Sequence, residues 1–245
     1  MYPGWGVLGF LLGAVISSFG ATWALRRKKG LQIVAGRSRC DACSHDLTYA
    51  ETVPVLGFLA LRGRCQYCEA AIDPFHPIAE VLGGSLMAAI LLFRPWPWSI
   101  AEGALAITLF ILALVDLKTL TLPNIGVALV TFFAALLGWQ SGTLLENVVV
   151  ALILGLVLIA LVQGYKRLRG RTMLGTGDIK LIAALSLWLG PDIFIALALG
   201  SLLGLLHVRF APTRPGMIAF GPSIMVGALI IGLCVRPWFT LGGLT

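Results

Sequence analysis

Two sets of side chains in this chain have the types and spacing to do chemistry. The first is Cys40-x-x-Cys43 followed, after twenty-one residues, by Cys65-x-x-Cys68. Two pairs of thiolates at that spacing supply the four soft ligands of a tetrahedral Zn2+ site. Two disulfides, or thiols without metal, are the rival readings, and a reducing compartment weighs against the disulfides. Four cysteines leave no coordination position open for water, so such a metal is structural rather than catalytic. Cys234 stands apart in an apolar run and reads as a packing residue.

The second set is acidic. Carboxylates in apolar runs are costly to bury and are functional candidates by default. Glu80, Glu102, Asp116 and Asp178 qualify. Asp116 ends one apolar run, with Pro123 stopping any helix soon after. Asp178 closes Gly175-Thr176-Gly177-Asp178 at the head of a later run. Two carboxylates in one low-dielectric site cannot both ionise easily, so one keeps a proton while the other is a base. Such a pair can activate water against a peptide bond. Gly175 and Gly177 would let a substrate backbone approach the carboxylate closely. Plainer readings stay open: Asp178 can cap a helix N-terminus, and Asp116 can pair with Lys118.

Composition dictates what positions these groups. Of 245 residues, 58% are hydrophobic and 12% charged, and the mean hydropathy is +0.94. Soluble domains carry about 25% charged residues, so an ordinary globular enzyme, a disordered chain and a free nucleic-acid binder are excluded. Membrane lipid is the expected surroundings, with no nucleic-acid partner. At roughly 20 apolar residues per span, the chain offers about eight: 4–25, 77–93, 98–115, 124–145, 147–165, 174–191, 193–208 and 218–235. The expected fold is all-α, a polytopic helical bundle of about eight transmembrane helices. Its expected parts are a first helix over 1–25, a cytoplasmic tetracysteine loop over 26–76 and a transmembrane domain over 77–245.

The net charge of +7 is first a statement about topology. Arg26, Arg27, Lys28 and Lys29 follow the first apolar run, whereas a cleavable signal peptide begins with its positive charge. The positive-inside rule then puts the N-terminus outside and the long loop in the cytoplasm. Alternating eight spans from there leaves only Arg94 and Arg236 outside and the other sixteen Lys and Arg inside. It also puts Asp116 and Asp178 on the same, cytoplasmic, side. The loop has few apolar residues to bury, so metal binding would supply most of its folding energy.

Taken together, these segments resemble the type IV prepilin peptidases, which are intramembrane aspartic proteases of the Gly-x-Gly-Asp kind. Ser38-Arg39-Cys40-x-x-Cys43, Val53-Pro54-Val55-Leu56 and Leu61-Arg62-Gly63-Arg64-Cys65-x-x-Cys68 are similar to that family's zinc loop. Pro77-Ile78-Ala79-Glu80 resembles the segment closing it. The stretch from Asp116 to Pro123-Asn124 looks like the segment of the first catalytic aspartate, and Gly175 to Lys180 like that of the second. Phe220-Gly221-Pro222 matches a late signature.

The resemblance implies an aspartic endopeptidase of the bacterial inner membrane with Asp116 and Asp178 catalytic. It would remove a short basic leader, after a glycine and usually before a phenylalanine, from type IV prepilins or type II secretion pseudopilins, whose mature part begins with an apolar helix. The form carrying the zinc loop also methylates the new N-terminal amine with S-adenosylmethionine, so Zn2+ and that donor are the implied cofactors. Residues binding the donor are not marked in the sequence. Glu80 is a candidate contact for the basic leader, with Gly175 and Gly177 beside the substrate. One departure falls on the methylation half: the family usually shows Gly-Ser-Phe-Leu-Asn after the first span, where this chain has Ser17-Ser18-Phe19-Gly20-Ala21. A presenilin- or signal-peptide-peptidase-like protease would share the Gly-x-Gly-Asp string without the cysteine loop. A zinc-bearing transporter or assembly factor would cut no peptide bond.

Overall fold

The computed structural model describes residues 3–28, 38–40, 42–172, 174–210 and 220–235. The expected packing role of Cys234 and the charges at Lys29, Arg37, Arg214 and Arg236 lie outside the described residues and side chains. Among the described residues the regular structure is helical, with two isolated β-bridges, Arg39 with Asp46 and Arg64 with Ala71.

The helices are α1 Pro3–Lys28, α2 Leu56–Ala60, α3 Phe75–Phe93, α4 Trp98–Thr119, α5 Asn124–Gln140, α6 Leu144–Arg169, α7 Thr176–Leu189, α8 Ile193–Phe210 and α9 Phe220–Leu229. A π-helical turn, Ile230–Val235, extends α9. Each expected span falls on one of these. Basic residues close α1 (Arg26, Arg27, Lys28) and α6 (Lys166, Arg167, Arg169), where the helix dipole favours positive charge. Gly170, left-handed at φ 67, then caps α6.

Among the described residues, five helical stretches are long and apolar enough to cross a membrane: Gly4–Lys28, Phe75–Phe93, Trp98–Thr119, Leu144–Arg169 and Thr176–Leu206. Asn124–Gln140 and Phe220–Leu233 are apolar but shorter. One 31-residue apolar stretch, Thr176–Leu206, covers the sixth and seventh expected spans, which fold as two helices, α7 and α8. A 3-10 turn, Gly190–Asp192, interrupts it. Gly190 there has φ 57, and Pro191 follows it. The α7 part has 14 residues, about 21 Å at 1.5 Å per residue, short of a ~30 Å hydrocarbon core.

The chain divides into two compact units, Met1–Thr119 and Leu120–Thr245. In the first, α1, α3 and α4 pack together. Their shared core near the loop is made of small and branched residues: Ala21, Ala24 and Ala79 against Leu114 and Val115. Farther along, α1 and α3 approach so closely that side chains are excluded. A Cβ on Gly9 would stand 2.9 Å from the Ala88 Cα, and one on Gly13 would meet the Gly83 carbonyl. Small residues let helix backbones touch in lipid, where apolar exclusion gives no driving force. Leu8, Leu11, Leu12 and Val15 point outward from α1, a lipid-facing stripe.

In the second unit α7 packs on α5 and α6, and α8 on α9. Asn147 of α6 is buried at 2% exposure. Its amide donates to the Leu187 carbonyl at 2.9 Å and to the Thr143 hydroxyl at 3.1 Å. Those bonds satisfy a polar group that would otherwise be costly to bury. They tie α6 to the end of α7.

Candidate metal centre and catalytic carboxylates

The two cysteine segments fold as copies of one knuckle, offset by 25 residues. The Cys40 N–H donates to the His45 carbonyl, Ser44 to Cys40 and Leu47 to Ser38, at 2.7 to 2.9 Å. The Cys65 N–H donates to Ala70, Glu69 to Cys65 and Ile72 to Gly63, at 2.8 to 3.0 Å. The fifth residue of each copy, Ser44 and Glu69, takes positive φ (60 and 57). That reversal aims each pair of sulfurs toward the other. His45 and Tyr67 close the interface, their ring centroids 3.5 Å apart.

All four sulfurs lie within 4.8 Å of one another. Cys40 and Cys68 are 3.8 Å apart, and Cys43 and Cys65 4.0 Å. Tetrahedral Zn–S bonds of about 2.3 Å put sulfurs about 3.8 Å apart, so the donor set and its spacing fit Zn2+. Adjacent sulfurs cannot all ionise without a metal. The Cys43 and Ala42 N–H groups hold Cys40 below the usual thiol value, at about 7. The Ala70 N–H favours the thiolate of Cys68, but desolvation and the neighbouring Cys43, Cys65 and Cys40 sulfurs outweigh it and push Cys68 up to about 12.

Between the knuckles a second device organises the loop. Thr48 and Glu51 bond reciprocally: Glu51 Oε2 accepts the Thr48 N–H at 2.7 Å and its hydroxyl at 2.8 Å, and the Glu51 N–H reaches back to Thr48 Oγ1 at 3.4 Å. This is the Thr-x-x-Glu capping pattern, and the Thr48 N–H and hydroxyl hold the Glu51 carboxyl below its ordinary value. A γ-turn centred on Val55 then starts α2, with the Leu56 N–H donating to the Pro54 carbonyl at 2.6 Å. The Val55 N–H donates to Glu80 Oε2 at 2.7 Å. Glu80, on α3, is 6% exposed. Its carboxylate therefore already serves the loop.

Asp116 sits in the last turn of α4, buried at 5% exposure, in the first unit. The Lys118 ammonium lies over the Phe75 ring, 4.0 Å from the centroid. Asp178 lies in the second unit, half-buried in the first turn of α7, where its carboxylate accepts the Gly175 N–H. Gly175 and Gly177 flank it tightly. A Cβ on Gly175 would stand 3.1 Å from Asp178 Oδ2, and one on Gly177 would stand 3.1 Å from the Leu122 Cβ. Lys180 reaches from α7 to Asn124 at the head of α5, donating to its Oδ1 at 3.1 Å. Among expected site residues, the structure brings the four cysteines together, joins Glu80 to Val55, and gathers Gly175, Gly177 and Asp178 into one turn. Glu102 is paired with Arg94, whose Nε and Nη2 donate to its Oε2 and Oε1.

Sequence reasoning missed the bonds between Thr48 and Glu51 and the His45–Tyr67 contact. Thr48-x-x-Glu51 was readable as a cap. The ring contact was not, because it depends on the knuckles facing each other.

Residues 11–93 match the family described as bacterial peptidase A24 N-terminal domain, and residues 103–209 match the type IV leader peptidase family. The chain is 34% identical over 221 residues to the prepilin leader peptidase/N-methyltransferase of Burkholderia pseudomallei, covering 84% of this chain and 70% of that one. It is 32% identical to the protein of the same name from Aeromonas hydrophila, with 84% and 76% covered. To that from Neisseria gonorrhoeae it is 31% identical, with 79% and 70% covered. No solved structure gives a significant match. On the match of both family domains and of relatives over most of their length, the chain belongs to the type IV leader peptidase family.

Proposed function

We propose that the protein cleaves the leader of type IV prepilins or type II secretion pseudopilins and methylates the amine so exposed. The observation that carries this reading is the match over 84% of the chain to proteins named for both activities. The four-sulfur cluster supports it, since the cysteine loop accompanies the methylating form. Asp116 and Asp178 are the proposed catalytic carboxylates. One takes a proton from water as its oxygen bonds to the scissile carbonyl carbon. The other delivers a proton to the leaving nitrogen as the C–N bond breaks. The products are a leader ending in a free carboxylate and a mature pilin with a free amine.

Zn2+ held by Cys40, Cys43, Cys65 and Cys68 would fix the loop's shape, and bound S-adenosylmethionine would supply an electrophilic methyl group. The chain's own task there is to hold donor and amine together and exclude water. The loop and both aspartates are placed at the cytoplasmic face of the inner membrane, supported by the sixteen-to-two distribution of Lys and Arg. Mass spectrometry of a prepilin incubated with purified enzyme tests both halves. Loss of the leader mass without the donor, and a further gain of one methylene mass with it, is the expected result. An uncut prepilin overturns the reading.

A further inference from the structure

Between the two knuckles the loop carries an apolar run, Val53 to Leu61, nine residues without a charged side chain. No acid stands between Glu51 and Glu69, and two exposed arginines, Arg62 and Arg64, follow the run. Its centre is α2, whose sides differ. Gly57 is buried against the preceding turn, where an added Cβ would meet the Glu51 carbonyl oxygen. Phe58 and Leu61 line the interior of the loop together with Cys40 and Cys65. Leu56 and Leu59, three apart and so on one side of the helix, are left 65% and 62% exposed. Two leucines facing water from one turn forgo the gain of burial, and an apolar patch of this kind marks a surface that something covers.

The height of α2 is set by α3. Val55, which opens α2, donates its N–H to Glu80 Oε2. Helical side chains tilt toward the helix N-terminus, so that carboxylate stands about level with the turn of α3 before Glu80. Ile78 lies in that turn and, with Leu82 four residues on, is exposed on one face of α3. The 19 residues of α3 span about 28 Å, against a hydrocarbon core of about 30 Å. A helix with no length to spare needs its first turn at the edge of that core, and the Glu80 bond holds α2 there with it. We infer that α2 lies in the membrane interface, with Leu56 and Leu59 inserted among the lipid chains and Arg62 and Arg64 reaching back to the headgroups. Apolar side chains at the acyl boundary with basic ones above them are the pattern of an element lying in the plane of the bilayer. The partner is the lipid surface itself, and the inference rests on α3 crossing the bilayer, not on either proposed activity. The loop thereby gains an attachment to the membrane between its knuckles, besides the helices at its two ends.

The test is photolabelling of the full-length, zinc-loaded protein in phosphatidylcholine nanodiscs, the lipid carrying a diazirine in its acyl chain close to the headgroup. This lipid has no net charge, so attraction of the arginines to anionic headgroups does not enter. Mass spectrometry of the digested protein should find lipid adducts on 56–60 at a yield comparable to that on 78–82 of α3. Leu56→Glu combined with Leu59→Glu should cut the labelling of 56–60 about tenfold or more, since carboxylates are disfavoured among lipid chains, and leave that of 78–82 unchanged. Zinc content reports that the variant folds, and the labelling of the parent protein decides the question even where it does not. Adducts on 78–82 with none on 56–60 in the parent overturn the inference. If 56–60 is unlabelled and the double variant instead loses self-association or raises KM for a prepilin, the face belongs to a second copy or to the substrate, and the lipid assignment is overturned.

Discussion

The carboxylate of Glu80 holds the backbone N–H of Val55 at 2.7 Å, across twenty-five residues of chain. Val55 has φ 63 and ψ −50, a conformation that β-branched residues rarely adopt and that costs about 1–3 kcal/mol. A residue of a membrane helix thus keeps a loop turn in a strained state. Removing the acceptor by Glu80→Ala should release it, seen as faster amide hydrogen exchange over 53–57. Val55→Gly, which adopts positive φ freely, should restore part of the protection. Glu80 also remains the proposed contact for the basic leader, and salt separates the two roles. An effect of Glu80→Gln on cleavage through long-range attraction fades as salt rises, whereas one through the turn does not. Its burial and its bond to Val55 favour the salt-independent outcome.

Asp116→Asn and Asp178→Asn should each lower leader cleavage by roughly a hundredfold or more, the contribution of a general acid or base, with insertion unchanged. The Asp178 substitution is the sharper of the two. Asparagine can still accept the Gly175 N–H that Asp178 accepts now, and it is a good capping residue. Near-normal cleavage by Asp178→Asn would therefore assign Asp178 to capping and remove it from the chemistry.

Gly175→Ala probes the same carboxylate from its neighbour. The added methyl would press on Asp178 Oδ2 from 3.1 Å, while Gly175 itself, at φ −69, accepts an alanine without backbone strain. Cleavage should fall about tenfold, since displacements of less than an ångström already matter at a reacting group. The loss should appear in kcat. A change confined to KM would place the glycine at the substrate rather than at the carboxylate.

Metal analysis should find one zinc per chain, lost when Cys40 and Cys65 are both replaced by Ser. Metal binding requires thiolates and so releases protons. Cys40, at about 7, is half-ionised near neutrality, whereas Cys68, at about 12, gives up its proton only to the metal. Zinc affinity should therefore rise from pH 6 to pH 8 with measurable proton release. Affinity independent of pH over that range would mean that thiolates are not the ligands. Methylation should fall with the metal, and leader cleavage should fall less.

The cysteine spacing made the metal centre legible because knuckle geometry is local: a ligand pair, a reversal and a short return. Helix positions were legible for a similar reason, since apolar runs need no partner to declare themselves. The break between 174–191 and 193–208 was legible too, at Gly190-Pro191, where a 3-10 turn separates α7 from α8. Glu80 showed its importance but not its bond, since its partner is a backbone amide, which no residue type marks. The position where the family usually carries asparagine, Ala21, is fully buried among Ala24, Ala79 and Val115. An alanine fits that seam, and the sequence alone did not show that the seam existed.

The close pairing of α1 with α3 has a further consequence for the loop between them. These helices bracket the knuckles in the chain, and near the loop they pack through Ala21, Ala24 and Ala79, with Phe75 against them. Whichever state the metal is in, the loop's two ends stay anchored at neighbouring points. The entropy of closing that loop, which grows only slowly with length, is then met by the membrane helices and not by zinc. Ion loss should loosen the interior of the loop without letting it drift from the bilayer, so the centre can be emptied and refilled in place.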